Sequence, residues 1–364
     1  MILYATIALG LLVFIHEGGH YLASRVFGVR VTEFMLGLPG PSAGFQHGRT
    51  RFGVTAIPLG GYARVCGMEP GEMSPYLEAA AASVYARGEA LMEEVASDCG
   101  ISEDDAYTAL EELVEWGTIS GPLRRDKYNT YRTPKVNPTR GEIKAARKRG
   151  LLEPVACEEG EPRPLSDPHA FFESEYRQQY RSLPFWKRSV ILVAGVTVNL
   201  IAAIILFIIA FSVFGVDMQD PDTGQIMHYT VDPLRSVQAG FTYIGMVVQA
   251  VINLFNPATA AETVANSTSV VGIAYMSKVY ADAGLSSFIS FIAMLSVSLG
   301  VMNLLPIPPL DGGRFVVEVY QRIRRRVVSP RAMNTISYVG VALFMLLFIV
   351  MMNQDIQRFI FGNW

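Results

Sequence analysis

Gly10-Leu-Leu-Val-Phe-Ile-His16-Glu17-Gly18-Gly19-His20-Tyr-Leu-Ala-Ser-Arg25 sets two histidines and a glutamate inside an otherwise apolar run. A helical spacing of four puts the His16 and His20 imidazoles on one face, within reach of a single metal ion, with Glu17 beside them. An ionisable residue in a spanning helix costs at least about 2.5 kcal/mol on insertion scales, so three clustered polar groups need a compensating partner. A bound metal is such a partner; a chance match, or two polar histidines packed in a bundle, are the plain alternatives. The run from Ile2 to about Phe27 has no basic segment ahead of it, as a signal peptide would, and reads as a mature transmembrane helix.

Outward from this stretch the composition agrees. The chain has 364 residues, 51% hydrophobic and 17% charged, with the apolar residues gathered in long blocks. Ser189–Val216, Ala283–Leu310 and Ala332–Gln354 hold no Asp, Glu, Lys or Arg, and each can cross a hydrocarbon core of roughly 30 Å. With residues 1–28 they place spans at 184–216, 283–313 and 332–354. Lys187 and Arg188 precede the second span, and Arg322, Arg324, Arg325, Arg326 and Arg331 mark 314–331 as a basic cytoplasmic loop. Segment 217–282 is acidic, with Asp217, Asp220, Asp222, Asp232, Glu262 and Asp282 against Arg235 and Lys278, and reads as the outer side. A fifth uncharged stretch, Ser236–Ala261, would invert the basic loop if it crossed, so it is expected to lie at the interface or pack on the bundle. Four spans put both termini outside.

Between the first two spans, Val29–Met68 is rich in Gly, Pro, Val and Phe and predicts a small membrane-associated β-sheet over 29–71. Glu72–Arg181 differs sharply, holding 21 of the chain's 33 acidic and 14 of its 30 basic residues, and reads as a soluble insertion over 72–183. Its core at about 76–133 follows a winged-helix order: a short helix at Leu91–Asp98, a turn at Gly100, an amphipathic helix at Ser102–Trp116 capped by Ser102, and a β-wing at Ile119–Thr133. Pro134–Pro168 is expected to be linker with a helix at Arg140–Arg149. Cys66, Cys99 and Cys157 have no C-x-x-C spacing and predict neither disulfides nor a thiolate metal site. The net charge of −3 argues for no class of partner.

Two neutral imidazoles leave a metal ion needing a third ligand from another apolar segment. Asn303-Leu-Leu-Pro306-Ile-Pro308-Pro-Leu310-Asp311-Gly-Gly313 offers Asp311, the only carboxylate at the end of the third span; a helix-end charge at the interface is the alternative. The prolines unwind the helix there and free backbone groups. H-E-x-x-H is the arrangement of zinc metalloproteases, in which zinc lowers the pKa of a bound water toward about 7 and the glutamate takes its proton.

Taken together, His16-Glu17-Gly18-Gly19-His20 and the Asn303–Gly313 motif resemble the site-2 protease family of intramembrane metalloproteases, in its bacterial RseP-like branch. Ile57-Pro-Leu-Gly-Gly-Tyr62 resembles the family's membrane-associated sheet, and Ala194-Gly195-Val-Thr-Val-Asn199 the motif opening its second span. Matching segments cover about half the chain, in the family's order. The resemblance implies an α-helical polytopic membrane protein of the bacterial inner membrane and an endopeptidase holding Zn2+ through His16, His20 and Asp311. Glu17 is then the general base, with the active site toward the cytoplasmic face. It implies that Asn303, Pro306, Pro308, Gly60 and Gly61 bind substrate, a transmembrane peptide or single-span membrane protein such as an anti-sigma factor or a leftover signal peptide. The sheet would clamp an unwound substrate by strand addition. Asn199 reads equally well as a helix-packing amide.

The chain departs from the family in three places, one of them Val196, where the family commonly has proline. No PDZ-like pattern stands in 217–282, and the insertion at 72–183 is an addition. Glu103, Asp104, Asp105, Glu111, Glu112 and Glu115 on its second helix would repel phosphates, so nucleic acid is disfavoured. Arg124, Arg125, Lys127, Arg132, Lys135, Arg140, Lys144, Arg147, Lys148 and Arg149 form a basic cluster for anionic membrane lipids, and the insertion as a whole reads as a surface for a cytoplasmic protein partner. The competing reading is a membrane-tethered regulator that uses the insertion to bind DNA or protein, with a structural or vestigial metal site.

Overall fold

The structure, a computed structural model, describes residues 1–69, 71–123, 126–219, 225–359 and 361. Arg124 and Arg125 of the basic cluster, and Asp220 and Asp222 of the acidic segment, lie outside the described residues. Helix α1 (Ile2–Phe27) ends at Gly28, whose φ of 87° is the left-handed cap that glycine adopts without strain. The chain then enters β1 (Val31–His47) and β2 (Thr50–Val65), an antiparallel pair. Both strands are bent, so that residues 33–36 of β1 pair with 51–54 on one side and with 61–64 on the other. Two strands thereby make a sheet four segments wide. Residues 61–65 form the edge nearest α1.

The insertion contains α2 (Leu77–Arg87), β3 (Glu89–Leu91), α3 (Met92–Cys99), α4 (Glu103–Glu115), β4 (Thr130–Arg132), α5 (Arg140–Arg149) and α6 (Pro168–Tyr176). Ser102 caps α4 by accepting from the Asp105 N–H, and Gly100 ends α3 in the left-handed region at φ 64°. Leu77, Val84, Leu110, Leu113, Trp116 and Tyr131 close its apolar core. Helix α2, which buries Leu77, Ala80, Ala81, Val84 and Tyr85, has no counterpart in the sequence reading. The expected wing reduces to β4 paired with β3 and a bridge between Ser120 and Arg132.

Three of the six carboxylates of the acidic helix α4 reach other elements, while Glu103, Asp104 and Asp105 stay exposed. Glu111 accepts from the Tyr131 hydroxyl, Glu112 from Arg181 and the Ser74 N–H, and Glu115 from the N–H groups of Gly67 and Met68. The basic cluster is partly paired, with Arg132 joined to Asp126 and Glu89, and Lys135 to Glu158 and Arg147 to Glu153 in exposed pairs.

Helix α7 (Phe185–Ile208) continues as a π turn to Val213, and β5 (Val216–Gln219) with β6 (Ile226–Tyr229) makes a hairpin. There follow α8 (Pro233–Leu254), α9 (Ala260–Asn266), α10 (Val270–Asp282), α11 (Leu285–Asn303), α12 (Asp311–Arg324) and α13 (Pro330–Phe359). Among the described residues, α1, α7 with its π turn, α8, α11 and α13 are long and apolar enough to cross a membrane. Tyr243, Ile244, Val247 and Val251 of α8 pack on Ala203 and Phe207 of α7 and on Val297 and Val301 of α11. The segment read as a basic loop, 314–331, is helical to Arg324. Its Phe315 packs beside α7, and buried Glu318 pairs with Arg188 at 2.9 Å.

Candidate active site

Helix α1 delivers His16 and His20 one turn apart, and both are buried. Asp311 meets them from the first turn of α12. The turn that follows α11 brings it there, and two glycines let that turn fold tightly. A side chain at Gly312 would run into the Leu304 carbonyl, and one at Gly313 into the Pro308 nitrogen.

Asp311 Oδ2 lies 3.1 Å from His16 Nε2 and 3.1 Å from His20 Nε2, and the two Nε2 atoms are 3.4 Å apart. A tetrahedral zinc held at about 2.0–2.1 Å sets neighbouring ligand atoms roughly 3.3 Å apart, so the triangle has the size of one zinc face. Among the described residues, these three are the one group of His, Cys, Asp or Glu placed to share an ion.

The surrounding groups fit the same ion. His20 Nδ1 donates to the Ile191 carbonyl at 2.8 Å, which leaves Nε2 as the lone-pair nitrogen. His16 Nδ1 lies 3.4 Å from the Asn199 side-chain nitrogen, while Asn199 Oδ1 is buried without a partner. A half-turn of the amide exchanges its oxygen and nitrogen, and that orientation gives the orphaned oxygen the Nδ1–H of His16. In that orientation Asn199 pairs with His16 as well as packing between the helices. Its role is invisible in sequence because it depends on α7 crossing α1 at Gly19 and Gly195. A Cβ at Gly19 would stand 2.7 Å from the Ala194 carbonyl oxygen, and one at Gly195 would strike His20 Nε2. The Ala194-Gly195 pair was the available signal of a close helix crossing.

Glu17 points from α1 toward the sheet, where its Oε2 accepts the Ala63 N–H at 2.9 Å. That N–H faces away from β1, so residues 61–65 present an unpaired strand edge beside His16, His20 and Asp311. Gly61 is required there, since a Cβ would approach Val13 Cγ1 to 2.6 Å and Glu17 Cγ to 3.3 Å. A cavity of about 1210 Å³ runs from Glu17, His20 and Asp311 along this edge toward Glu115 of the insertion and the first turns of α13.

The other sequence candidates fall into two groups. Asn303 is at the site, its side-chain nitrogen 3.4 Å from His16 Nε2. Gly60, Pro306 and Pro308 do not line the cavity: Gly60 supplies a positive φ of 81°, Pro306 is exposed, and Pro308 is buried under Gly313 and Gly340 while Pro309 faces the cavity. Gly340 of α13 was not singled out from sequence; it lets that helix touch the Pro308 carbonyl.

Comparison with known proteins gives a consistent picture. The family model described as Peptidase family M50 matches residues 4–347. The chain is 24% identical over 431 aligned residues, covering 97% of both sequences, to a Bacillus subtilis protein named regulator of sigma-W protease RasP. It is 28% identical to a putative zinc metalloprotease of Rhizobium meliloti, covering 97% of this chain and 95% of that one. A shorter stretch of 86 residues, 24% of the chain and 20% of the relative, is 40% identical to a probable protease of Enterococcus faecalis.

Proposed function

The chain belongs to peptidase family M50 and is a zinc-dependent protease of the membrane, and from that premise we propose that His16, His20 and Asp311 hold the zinc and that Glu17 is the general base. The observation that carries the assignment is the triangle of Nε2, Nε2 and Oδ2 atoms closed by residues from two helices that lie almost 300 positions apart in sequence. Zinc at this place supplies Lewis acidity, lowering the pKa of a coordinated water toward about 7 and polarising the scissile carbonyl.

The residues divide the remaining work. Glu17 receives the proton of the attacking water and passes it to the leaving amine. The edge at 61–65 binds an extended segment of substrate through main-chain hydrogen bonds, with the Ala63 N–H exchanging Glu17 for a substrate carbonyl as the strand docks. A peptide bond in an intact helix is shielded by its own hydrogen bonds, so this docking also holds the substrate unwound. Asn303 orients the substrate backbone beside His16.

Substrates on this reading are transmembrane segments of single-span membrane proteins, among them anti-sigma factors, in line with a Bacillus subtilis relative named for regulation of sigma-W. Four crossings place both termini outside and the site toward the cytoplasm. Both flanks of α8 support this count: Ser236 bonds to Ser212 at the end of α7, and the Ala265 carbonyl accepts from Arg358 at the far end of α13. The insertion is read as a winged-helix-like module over the cytoplasmic mouth of the cavity. Glu17→Gln is expected to abolish cleavage of a model transmembrane substrate while keeping zinc. Undiminished cleavage would overturn the assignment.

A further inference from the structure

A second cavity, of about 320 Å³, lies between α5, the segment leading into α6, and the cytoplasmic end of α1. We propose that it binds a small phosphate-bearing ligand. Five arginines, Arg25, Arg30, Arg49, Arg149 and Arg163, line it from four separate parts of the chain. Three carboxylates share the lining; Glu153 is already paired with Arg147 at 2.8 Å, and Glu142 lies 3.9 Å from Arg25.

The remaining positive charge is poorly matched. Arg30 and Arg49 both lean on the single carboxylate of Glu175. Arg149 and Arg163 form no ion pair among the described residues and reach only backbone carbonyls: Arg149 those of Arg25 and Val26, Arg163 that of Pro134. The Nε groups of Arg30, Arg49 and Arg163 are buried with no hydrogen-bond partner. Buried donors without acceptors are costly, and the arginine fork fits the oxygens of a phosphate in pairs. A phosphoryl group entering between Arg149 and Arg163 would meet guanidinium groups to which the protein offers no carboxylate.

The other wall is apolar. Tyr85 and Phe171 stand with ring centroids 4.8 Å apart, and the Arg163 guanidinium lies 5.1 Å from the Tyr85 centroid. A bare inorganic anion would leave this wall uncovered, whereas a phosphate ester with a flat or apolar body would cover it. A nucleotide and the headgroup of an anionic lipid share that chemistry.

The position gives the site a consequence for catalysis. Arg149 sits where a side chain on Gly28 would be, and it donates to the last carbonyls of α1. A cation there favours the helix C-terminus. Ligand bound between Arg149 and Arg163 therefore ties α5 of the insertion to the helix that bears His16, Glu17 and His20.

The test is calorimetric titration of the detergent-solubilised full chain with pyrophosphate, ATP and short-chain phosphatidic acid. Saturable binding of at least one probe is expected. It should weaken about tenfold or more in Arg49→Gln and Arg163→Gln, and be blocked by Ala145→Trp, which fills the cleft from its exposed rim without changing charge. An unchanged thermal midpoint without ligand certifies each variant as folded. Binding of ATP and not the lipid assigns a soluble ligand, and the reverse assigns a headgroup. Failure of all three probes to bind at millimolar concentration, or affinity unchanged in Ala145→Trp and both arginine variants, would overturn the proposal.

Discussion

Replacing Glu175 by Gln should release the insertion from the catalytic body while sparing the metal centre. Glu175 is buried and bridges Arg30, at the start of the sheet, to Thr118, after α4. Arg30 donates to it at 2.6 and 2.8 Å, Thr118 at 2.8 Å and Arg49 at 3.3 Å. Burial alone would push this carboxyl up, but the Arg30 and Arg49 charges and the hydrogen bonds from Arg30 and Thr118 outweigh it and hold the pKa at about 2. Against an ordinary value of 4.5, that depression corresponds to roughly 3 kcal/mol. Breaking a buried pair from one side costs about 3–5 kcal/mol by analogy with other proteins. The two routes agree. The stabilisation is complete above about pH 4.5 and is lost as pH falls through about 2, so at neutral pH the variant should show the whole effect.

Hydrogen exchange is the direct assay. The Arg30 N–H bonds to the Gln178 carbonyl and the Cys66 N–H to the Arg30 carbonyl. Both amides should lose protection by about 10²–10³-fold, at 1.4 kcal/mol per decade. Zinc content should not change. Wild-type protection at Arg30 and Cys66 in Glu175→Gln would refute the reasoning.

Three further outcomes are expected. Asn199→Ala should weaken zinc about 10–100-fold in chelator competition by removing the partner of His16 Nδ1; an unchanged affinity would return Asn199 to a packing role. Gly195→Ala should lose zinc and activity together, because its methyl would occupy the space of His20 Nε2, and a fully loaded, active variant would contradict the helix crossing described. Burial and the nearby Glu69 push the Glu115 carboxyl up to about 7. Its ionised form therefore opposes folding, and stability should fall as pH rises from about 4.5 through 7. Glu115→Gln keeps an acceptor for Gly67 and Met68 and should flatten that dependence in thermal melts between pH 5 and 7; an identical slope would rule the group out.

What could be read from sequence depended on whether a residue's environment was set locally. His16, Glu17, His20 and Asp311 stood out because polar groups in apolar spans are expensive wherever the spans pack. Helix α4 was legible to its cap, since Ser102 and Asp105 are three residues apart. The sheet was anticipated but not its doubling back, which follows from bends in both strands. Ser236–Ala261 is long and uncharged, and a crossing helix and a helix laid on the bundle look alike in such a run. Asn199, the Ala63 N–H and the arginine cleft were illegible for a common reason: each acquires its function from a partner more than 40 positions away.

Metal analysis tests the central claim most directly. Purified wild type and Glu17→Gln are expected to hold one zinc per chain, while His20→Ala and Asp311→Ala, folded by thermal midpoint, hold little or none. Full zinc in His20→Ala or Asp311→Ala, or none in the wild type after zinc supplementation, would contradict the account.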